Sequence, residues 1–444
     1  MDAEIAKGKV WDAIVVGAGP AGIRVWESLG RARLSTLLVE AGPVSRRVAN
    51  VDAQRWRYLA RGNGDWVRAH GVGGRSHLWG GWATPFAASV FEEAWPYPRA
   101  ELLRDYQRAA EWFAVRSSRA HVRYAAIRDK LGFVVRGCAA LHEGSSGWLC
   151  ARALADRAAL TGAAALRLVV RKHRAEALAC VDDEGRSLTL RARRFVLAAS
   201  PLESARILLE SELSPRELGE TLTDHTLVSY LLINPQPTRA DRELRHTHGV
   251  CVDPLATRRA REARAHHGRF LLEVLGPKPV SSLPESLLTA LRLSDRPGAV
   301  LTSIGALGEQ LPGPHRRLAL APRAKDTFGR RLPVVHAQVS DDEQRMIEAM
   351  TAACERVAEV LAQPGAELVV LRDPLVLPPI FHPASTCLMG LSDAHPCTPE
   401  GRLRRWDNVW LADASVFPSS GDAHPTLTVI AHAQRAARAA AFCS

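Results

Sequence analysis

Apolar and polar positions along the chain predict strands and helices in α/β order. Near the N-terminus an apolar run, Val10 to Val16, predicts a buried strand, and the amphipathic stretch after it predicts a helix. A second apolar run, STLLVE, predicts another strand that ends at Glu40. Strand, helix and strand of this length form a βαβ unit, the unit that binds dinucleotides in doubly wound folds.

Three glycines follow the first strand at the spacing GxGxxG, in the segment GAGPAG. Gly17 allows a tight turn, Gly19 lets the backbone approach a pyrophosphate, and Gly22 lets helix and strand pack closely. Pro20 and Ala21 begin the helix, whose N-terminus directs its positive dipole end at the phosphates. The motif and its strand context predict a dinucleotide site.

An acid at the end of the second strand narrows the choice of dinucleotide cofactor. The carboxylate of Glu40 can hydrogen-bond ribose hydroxyls, and its charge disfavours a 2′-phosphate. We therefore expect a cofactor other than NADP.

The rest of the chain predicts a further strand of the first sheet and a second domain. Residues 165–211 predict strands joined by the turn DDEG and a helix from about Pro201. The run Phe195 to Ala199 predicts a buried parallel strand in the first sheet. Between roughly 226 and 380, helical stretches such as DDEQRMIEAMTAACERVAEVLA alternate with possible strands such as RLPVVHAQVS.

The C-terminal stretch predicts a second place to hold a polar cofactor. VWLAD predicts a short strand that ends in Asp413, a loop follows with His424 and Pro425, and an alanine-rich helix begins at about Thr426.

Composition narrows the class of protein. The net charge is +11, but the basic residues are almost all arginines scattered through the chain, with no block that would bind nucleic acid. The eight cysteines form no CxxC pair, which predicts reduced thiols. No apolar run reaches the ~20 residues of a membrane span, and the N-terminus does not resemble a signal peptide. We expect a soluble, cytoplasmic protein that binds no nucleic acid.

Six segments in order give the chain a resemblance to the glucose–methanol–choline (GMC) family of FAD-dependent oxidoreductases. They are GAGPAG with EAGP, GVGGRSHLWGG, RRFVLAASPLESARILL, LGETLTDH, HPASTCLMG and VWLADASVFPSSGDAHPTLTVIAHAQRAA. The resemblance implies an α/β (α+β overall) fold, with a Rossmann-like FAD-binding domain and a second domain of mixed sheet and helices. We place the first in residues 1–95, 160–225 and 386–444, and the substrate-binding or cap domain in 96–159 and 226–385.

The resemblance also implies the chemistry of two histidines. His382 precedes the run Thr386, Cys387 and Met389, and His424 precedes the C-terminal helix; both would face the substrate side of the isoalloxazine ring. A histidine can remove the O–H proton while the C–H hydride passes to flavin N5. We assign His382 as base and His424 as hydrogen-bond partner, although the roles could be reversed.

The loop 71–81 resembles the family segment that passes the flavin. Gly73 and Gly74 permit close approach, and Ser76 could hydrogen-bond the cofactor. Some members tether FAD through a histidine, but Leu78 stands at that place and His77 is one residue early, so non-covalent FAD is expected. Trp79 is similar to the pyranose-oxidase-like branch, which favours a sugar or polyhydroxylated substrate.

Other residues carry weaker implications. Val170, or Val169, matches a position whose backbone contacts adenine, and Asp413 and Ala414 match residues near the pyrophosphate and ribityl chain. Asp224 and His225 match an Asp-His pair interpreted as structural. Ser200 replaces a glycine of the family. A tryptophan cluster could line a sugar pocket or lie in the core: Trp56, Trp66, Trp79, Trp82 and Trp95.

The leading hypothesis is oxidation of an alcohol, sugar, glycoside or polyol, with oxygen or another compound as electron acceptor. Some family members are lyases that cleave cyanohydrins with a spectator flavin, and this alternative stays open. A binding or regulatory protein on a degenerate fold conflicts with the intact glycine turn and histidine pair. A simple NAD dehydrogenase has no place for the C-terminal motif.

Overall fold

The structure is a computed structural model. It describes residues 8–44, 59–61, 70–77, 81–117, 120–137, 139–141, 158–211, 221–243, 248–254, 268–326, 328–372 and 382–443, together with Ala6, Cys150, Ala153, Leu154, Leu213 and Leu218.

Twenty strands and nine α-helices lie in these described residues. The strands are β1 (Val10–Trp11), β2 (Ala13–Val16), β3 (Thr36–Glu40), β4 (Leu59–Arg61), β5 (Val115–Ser117), β6 (Val134–Gly137), β7 (Ala139–Leu141), β8 (Ala159–Thr161), β9 (Ala163–Arg171), β10 (Arg174–Asp182), β11 (Ser187–Ala192), β12 (Phe195–Leu197), β13 (His225–Asn234), β14 (His248–Asp253), β15 (Phe270–Pro279), β16 (Val300–Glu309), β17 (Arg316–Lys325), β18 (Arg331–Ala337), β19 (Glu367–Arg372) and β20 (Val409–Leu411). The helices are α1 (Pro20–Arg31), α2 (Ala88–Glu93), α3 (Leu103–Trp112), α4 (Ala125–Leu131), α5 (Pro201–Glu210), α6 (Arg239–Glu243), α7 (Glu285–Ala290), α8 (Asp341–Leu361) and α9 (Thr426–Phe442).

A five-stranded parallel sheet lies at the centre of the cofactor half, in the order β20-β12-β2-β3-β8. Both of its faces are buried: Ala13 and Val15 pack under α1 and α9, whereas Ile14 and Val16 face a second core that includes Phe417. A parallel sheet covered on both faces needs continuous apolar strands, which explains why the runs in the sequence are unbroken.

The first apolar run is not one strand. It divides at Asp12, because the Asp12 carboxylate accepts hydrogen bonds from the backbone N–H and the hydroxyl of Ser35, at 2.9 and 2.8 Å. The strand β1 before Asp12 pairs with β11 in a four-stranded sheet of order β1-β11-β10-β9. Only β2 belongs to the parallel sheet.

A six-stranded antiparallel sheet, in the order β19-β13-β16-β15-β14-β6, forms the other half. Along β15, Phe270, Leu272 and Val274 pack against α8, and the residues between them face the opposite way. Helix α8 begins at a capping box formed by Ser340 and Glu343. One face of this sheet is therefore closed by α8, which leaves the other face to the cavity described below.

Two smaller sheets complete the described fold, β17-β18-β4 and β5-β7. Among the described helices, none combines the length and the apolar character that crossing a bilayer requires. The exact domain boundaries given above stay a prediction.

Candidate active site

A cavity of about 450 Å³ lies between the two large sheets. The carboxyl ends of the parallel strands β2, β3, β12 and β20 meet at its wall, which is where ligands bind in open α/β sheets. The six-stranded sheet contributes Leu227, Glu273, Gly305 and Leu307. Thirteen of the residues expected at the site line it: Gly17, Gly19, Pro20, Ala21, Glu40, Gly74, Ser76, His382, Asp413, Ala414, His424, Pro425 and Thr426.

The glycine turn fits a dinucleotide. Gly17 has a φ of +100°, and a Cβ there would lie 2.5 Å from the carbonyl oxygen of Ala198. A Cβ on Gly22 would lie 1.8 Å from the Gly17 oxygen, so this glycine serves packing and does not itself line the cavity. A Cβ on Gly19 would meet no atom of the described residues within 4 Å. The space beside Gly19 is thus open to a ligand.

Three helices begin at the cavity: α1 at Pro20, α5 at Pro201 and α9 at Thr426. None of them has a side-chain cap within the described part of the chain. Their free first-turn N–H groups and positive dipole ends suit the phosphates of FAD.

The carboxylate of Glu40 accepts hydrogen bonds from three loops, which the sequence did not indicate. Its Oε2 accepts from the backbone N–H of Ala18 at 2.8 Å, and its Oε1 accepts from Gly42 and Gly71 at 2.9 and 3.0 Å. Burial raises the pKa of this carboxyl, and the backbone donors oppose the rise. Glu40 therefore ties together three loops around the cavity, in addition to any ribose contact.

The loop 71–77 lies against the glycine turn. The N–H of Gly73 donates to the Ala18 carbonyl at 2.8 Å, although Gly73 itself does not line the cavity. Ser76 lines the cavity, with its hydroxyl donating to the Gly73 carbonyl at 2.7 Å. His77 does not line it: its Nε2 contacts the Val72 carbonyl at 2.8 Å. The expected tether place, Leu78, and the neighbouring Trp79 lie outside the described residues.

Asp413 follows β20 and is held by its own turn. Its Oδ1 accepts from the N–H of Ser415 at 3.0 Å, and its Oδ2 accepts from the hydroxyl of Ser204 at 2.6 Å. Ser204, on α5, was not expected from the sequence. Ser200 begins that helix with a φ of +80°, a conformation that favours the glycine of the family pattern.

The position expected to contact adenine lies away from the cavity lining. Val170 lies on β9 outside the cavity lining, whereas Ala163 and Ala165 of the same strand line it. Gly162 approaches the end of β3, since its N–H donates to the Gly42 carbonyl. The strand meets the cavity at its beginning, five or more residues before Val170, because β9 then runs into the four-stranded sheet.

Three histidines form a hydrogen-bonded chain at the cavity. His424 Nδ1 lies 3.1 Å from His382 Nε2, and His382 Nδ1 lies 3.2 Å from His225 Nδ1. His225 Nε2 lies 3.1 Å from the Gly421 carbonyl, and His424 Nε2 lies 3.0 Å from Oε2 of Glu273. The structure brings the predicted pair together and adds a partner at each end.

The Gly421 carbonyl determines which nitrogen of each histidine carries a proton. A carbonyl only accepts, so the proton of neutral His225 is on Nε2 and its Nδ1 accepts from His382. The Nε2 of His382 is then unprotonated and accepts from His424 Nδ1. One further proton lies between His424 Nε2 and Glu273. This arrangement leaves Nε2 of His382 as a hydrogen-bond acceptor.

Burial and mutual repulsion keep the inner histidines neutral. Burial lowers the pKa of His225 to about 3. The pKa of His382 is held well below its usual range by burial first, and then by His424, His225 and Arg75. An unprotonated histidine is what a general base requires.

The Asp224-His225 pair, for which a structural role was expected, lies beside His382. Asp224 Oδ1 accepts from the N–H groups of His225 at 2.7 Å and of His382 at 3.2 Å. Its Oδ2 has no hydrogen-bond partner among the described residues. Burial raises the pKa of this carboxyl to about 8. Asp224 therefore holds two of the three histidine backbones in place.

We expect Asp224→Asn and Asp224→Ala to differ in their effects on activity and on the free energy of unfolding. Asparagine keeps the accepting oxygen, and a neutral side chain suits a carboxyl whose pKa is raised, so activity stays within a few-fold of the parent. Alanine leaves two buried N–H groups without an acceptor, which costs about 2–4 kcal/mol in the free energy of unfolding. Denaturant unfolding and kcat measure both effects. Equal damage from both substitutions would show that the charge of Asp224 is required.

Of two further side chains beside the histidines, Trp82 belongs to the tryptophan cluster expected in a sugar pocket or in the core, whereas Glu273 was not expected from the sequence. Glu273 is a single acid within the apolar strand FLLEVL, a pattern that could have indicated a polar group on the cavity face of a sheet. Trp82 stacks on His424, with ring centroids 6.0 Å apart, and lines the cavity. Trp95 packs in the core against Phe91 and Phe417. Trp56 and Trp66, like Trp79, are not among the described residues.

The chain matches one family model and is similar to several known oxidases. Residues 319–433 match the family model described as GMC oxidoreductase. The chain is 26% identical to paromamine 6′-oxidase of Streptomyces fradiae, over 98% of this chain and 92% of that protein. It is 26% identical to 6‴-hydroxyparomomycin C oxidase of Streptomyces lividus over the same shares. It is also 26% identical to C-glycoside 3-oxidase of Microbacterium trichothecenolyticum, over 61% of this chain and 51% of that protein.

Solved structures share the fold. Pyridoxine 4-oxidase from Mesorbium loti superposes with a TM-score of 0.70 at 18% identity, covering 96% of this chain and 98% of that one. Formate oxidase of Aspergillus oryzae superposes with a TM-score of 0.67 at 16% identity, covering 97% and 98%.

Proposed function

We propose that the chain is a GMC oxidoreductase that oxidises a CH–OH group of a sugar or glycoside to the carbonyl, with FAD as cofactor. The observation that carries the proposal is the chain of three histidines beside a cavity that both ends of the sequence line. Relatives named as oxidases of paromamine and of C-glycosides support the substrate class.

Residues from several segments would hold FAD. Gly19 and the N-termini of α1 and α9 would bind the pyrophosphate, Glu40 the ribose, and Ala163 and Ala165 the adenine end. Asp413 and Ala414 would contact the ribityl chain. We propose that binding is non-covalent, because the ring of His77 is engaged by the Val72 carbonyl of its own loop. When bound, FAD supplies the acceptor of a hydride at N5.

The histidines would move the substrate proton. A hydroxyl placed between His382 and His424 donates to the unprotonated Nε2 of His382 and accepts from Nδ1–H of His424. The present contact of 3.1 Å between these nitrogens opens to admit it. His382 takes the proton, and His424 stabilises the developing alkoxide. Glu273 holds His424 in the orientation that keeps its Nδ1 a donor.

The pH profile of kcat/KM tests His382 as the base. A base works only when unprotonated, and a lowered pKa keeps it unprotonated to a lower pH. We therefore expect kcat/KM to stay level as the pH falls through the usual histidine pKa of 6.5 and to decline only below it. Between the usual pKa of 6.5 and the lowered pKa of His382, the unfolded chain takes up a proton that the folded protein does not. The fold therefore loses stability as the pH falls through that interval. A decline of kcat/KM centred at or above the usual pKa of 6.5 would contradict the assignment.

The visible spectrum tests the cofactor. We expect the purified protein to show the absorption of oxidised flavin, and we expect acid precipitation to release the colour into the supernatant. Colour kept in the pellet would overturn non-covalent binding. A colourless protein that takes up no added FAD would overturn the proposed function.

A cyanohydrin-type lyase is the second candidate on this scaffold. It is distinguished by mixing the flavin-loaded protein with substrate without oxygen, since a lyase consumes substrate and leaves the flavin oxidised. Repeating the experiment with oxygen readmitted identifies the electron acceptor: return of the flavin absorbance shows an oxidase, whereas slow return favours another acceptor.

A further inference from the structure

One carboxylate oxygen of Glu273 makes no hydrogen bond to the three histidines. Oε2 contacts His424, whereas Oε1 is buried and has no hydrogen-bond partner among the described residues. The side chain is 13% exposed and lines the cavity. A buried carboxylate oxygen without a donor is costly, so a native site with such an oxygen calls for a ligand that brings the donor.

The surroundings of this oxygen leave room for that ligand. Gly305 lies directly across from Glu273 on β16 and also lines the cavity, without a side chain to fill it. Leu227 and Leu307, on the same face of the sheet, provide an apolar surface. An apolar wall with one carboxylate is suited to a sugar that carries a single strong donor.

We propose that Oε1 of Glu273 binds a protonated amino group of the substrate, so that the enzyme prefers an amino sugar over its neutral analogues. The inference rests on the proposed alcohol oxidation and adds a specificity-determining contact to it. An ammonium group supplies donors and a charge that opposes that of the carboxylate, and charge-assisted hydrogen bonds are the stronger kind.

The position of Glu273 constrains where the amino group stands. Its Oε2 lies 3.0 Å from His424 Nε2, on the side of the ring away from His382. The two contacts are made by opposite nitrogens of the His424 ring, so an ammonium on Oε1 is separated from a hydroxyl held between the histidines by at least the width of that ring. That separation fits an amino group across a pyranose ring from the oxidised carbon, and not one on the adjacent carbon.

The arginines that line the cavity do not oppose this placement, and the proton shared by His424 and Glu273 leaves that pair without net charge. The charge of Arg75 lowers the pKa of Asp224 and of His382, so Arg75 acts on that part of the histidine chain. Arg206 is paired with Glu203, and Arg330 with Asp326. The net charge of +11 belongs to the whole chain, whereas recognition depends on the few groups that line the cavity.

The test compares four substrates on the parent enzyme and on Glu273→Gln: methyl glucosaminide, its N-acetyl derivative, methyl glucoside and the larger amino substrate paromamine. The readout is the rate constant of anaerobic flavin reduction at subsaturating sugar. We expect the parent to favour the amino sugars by about tenfold or more, and Glu273→Gln to lose about tenfold of that ratio, as for the loss of a charged hydrogen bond. Glu355→Gln, an exposed acid elsewhere, serves as the control.

The ratio separates recognition from support of His424. Glu273→Gln slows every sugar if it only disturbs His424, and the ratio then stays unchanged, which overturns the inference while alcohol oxidation stands. Glu273→Asp keeps the charge, and we expect it to restore part of the preference. Equal rates for amino and neutral sugars on the parent enzyme also overturn it. A parent flavin that no sugar reduces overturns the proposed function and this inference with it.

Discussion

Replacing His382 by asparagine is expected to lower kcat by about 10³-fold without loss of bound flavin. Asparagine can still donate to Nδ1 of His225, so the neighbouring contacts survive, but it cannot accept the substrate proton. General-base catalysis contributes roughly 10²–10⁴-fold, and the loss falls in that range. The measurement is the rate of anaerobic flavin reduction at saturating sugar, together with the flavin content.

The substitution His424→Asn tests which of the two histidines is the base. An asparagine at 424 keeps an N–H donor for the substrate oxygen, so we expect a loss of only about 10–100-fold. His395→Gln changes a histidine that contacts Ser392 outside the cavity and is expected to behave as the parent. If His424→Asn were the more damaging substitution, the base would be His424 and the proton arrangement along the chain would be wrong.

Replacing Gly19 by valine is expected to abolish FAD binding while the protein stays folded. A side chain at this position meets nothing within 4 Å in the described residues, so the fold has space for it. The same space is where a pyrophosphate approaches the N-terminus of α1, and the valine methyl groups would occupy it. Flavin absorbance against protein absorbance measures the loss, and far-ultraviolet circular dichroism measures the fold.

Two other glycines provide matched controls. Gly298→Val also enters open space, at an exposed turn outside the cavity, and is expected to keep the full flavin content. Gly22→Val would place its Cβ 1.8 Å from the Gly17 oxygen, so we expect misfolding instead of a folded apoprotein. A folded Gly19→Val protein with normal flavin content would contradict the placement of the cofactor.

The sequence indicated the cofactor half of the fold through local patterns. The glycine spacing, Glu40 and the C-terminal Asp413 each follow a strand of one parallel sheet, and the carboxyl ends of parallel strands meet at one edge. Such residues can be placed together once the strands are known. The division of the first run at Asp12 could not be foreseen, because it depends on a contact with Ser35, 23 residues later.

The substrate side depends on contacts between distant strands and loops. Glu273 meets His424 across 151 positions, and His225 meets His382 across 157. No local period reports such contacts, since they follow from how the six-stranded sheet faces the parallel one. The part of β9 that lines the cavity was not foreseen for a related reason: the small residues 163–165 carry only a weak apolar signal, yet small residues allow a ligand to approach closely.

Substitution of deuterium for the carbinol hydrogen of the substrate tests the central claim most directly. The flavin-loaded enzyme is mixed without oxygen with a methyl glycoside or amino glycoside, in protiated and deuterated forms, while the oxidised flavin absorbance is followed. The account predicts that the absorbance disappears and that deuterium slows its disappearance. An oxidised flavin that persists while the sugar is consumed, or a rate that deuterium leaves unchanged when reduction itself limits the signal, would contradict hydride removal from a CH–OH group.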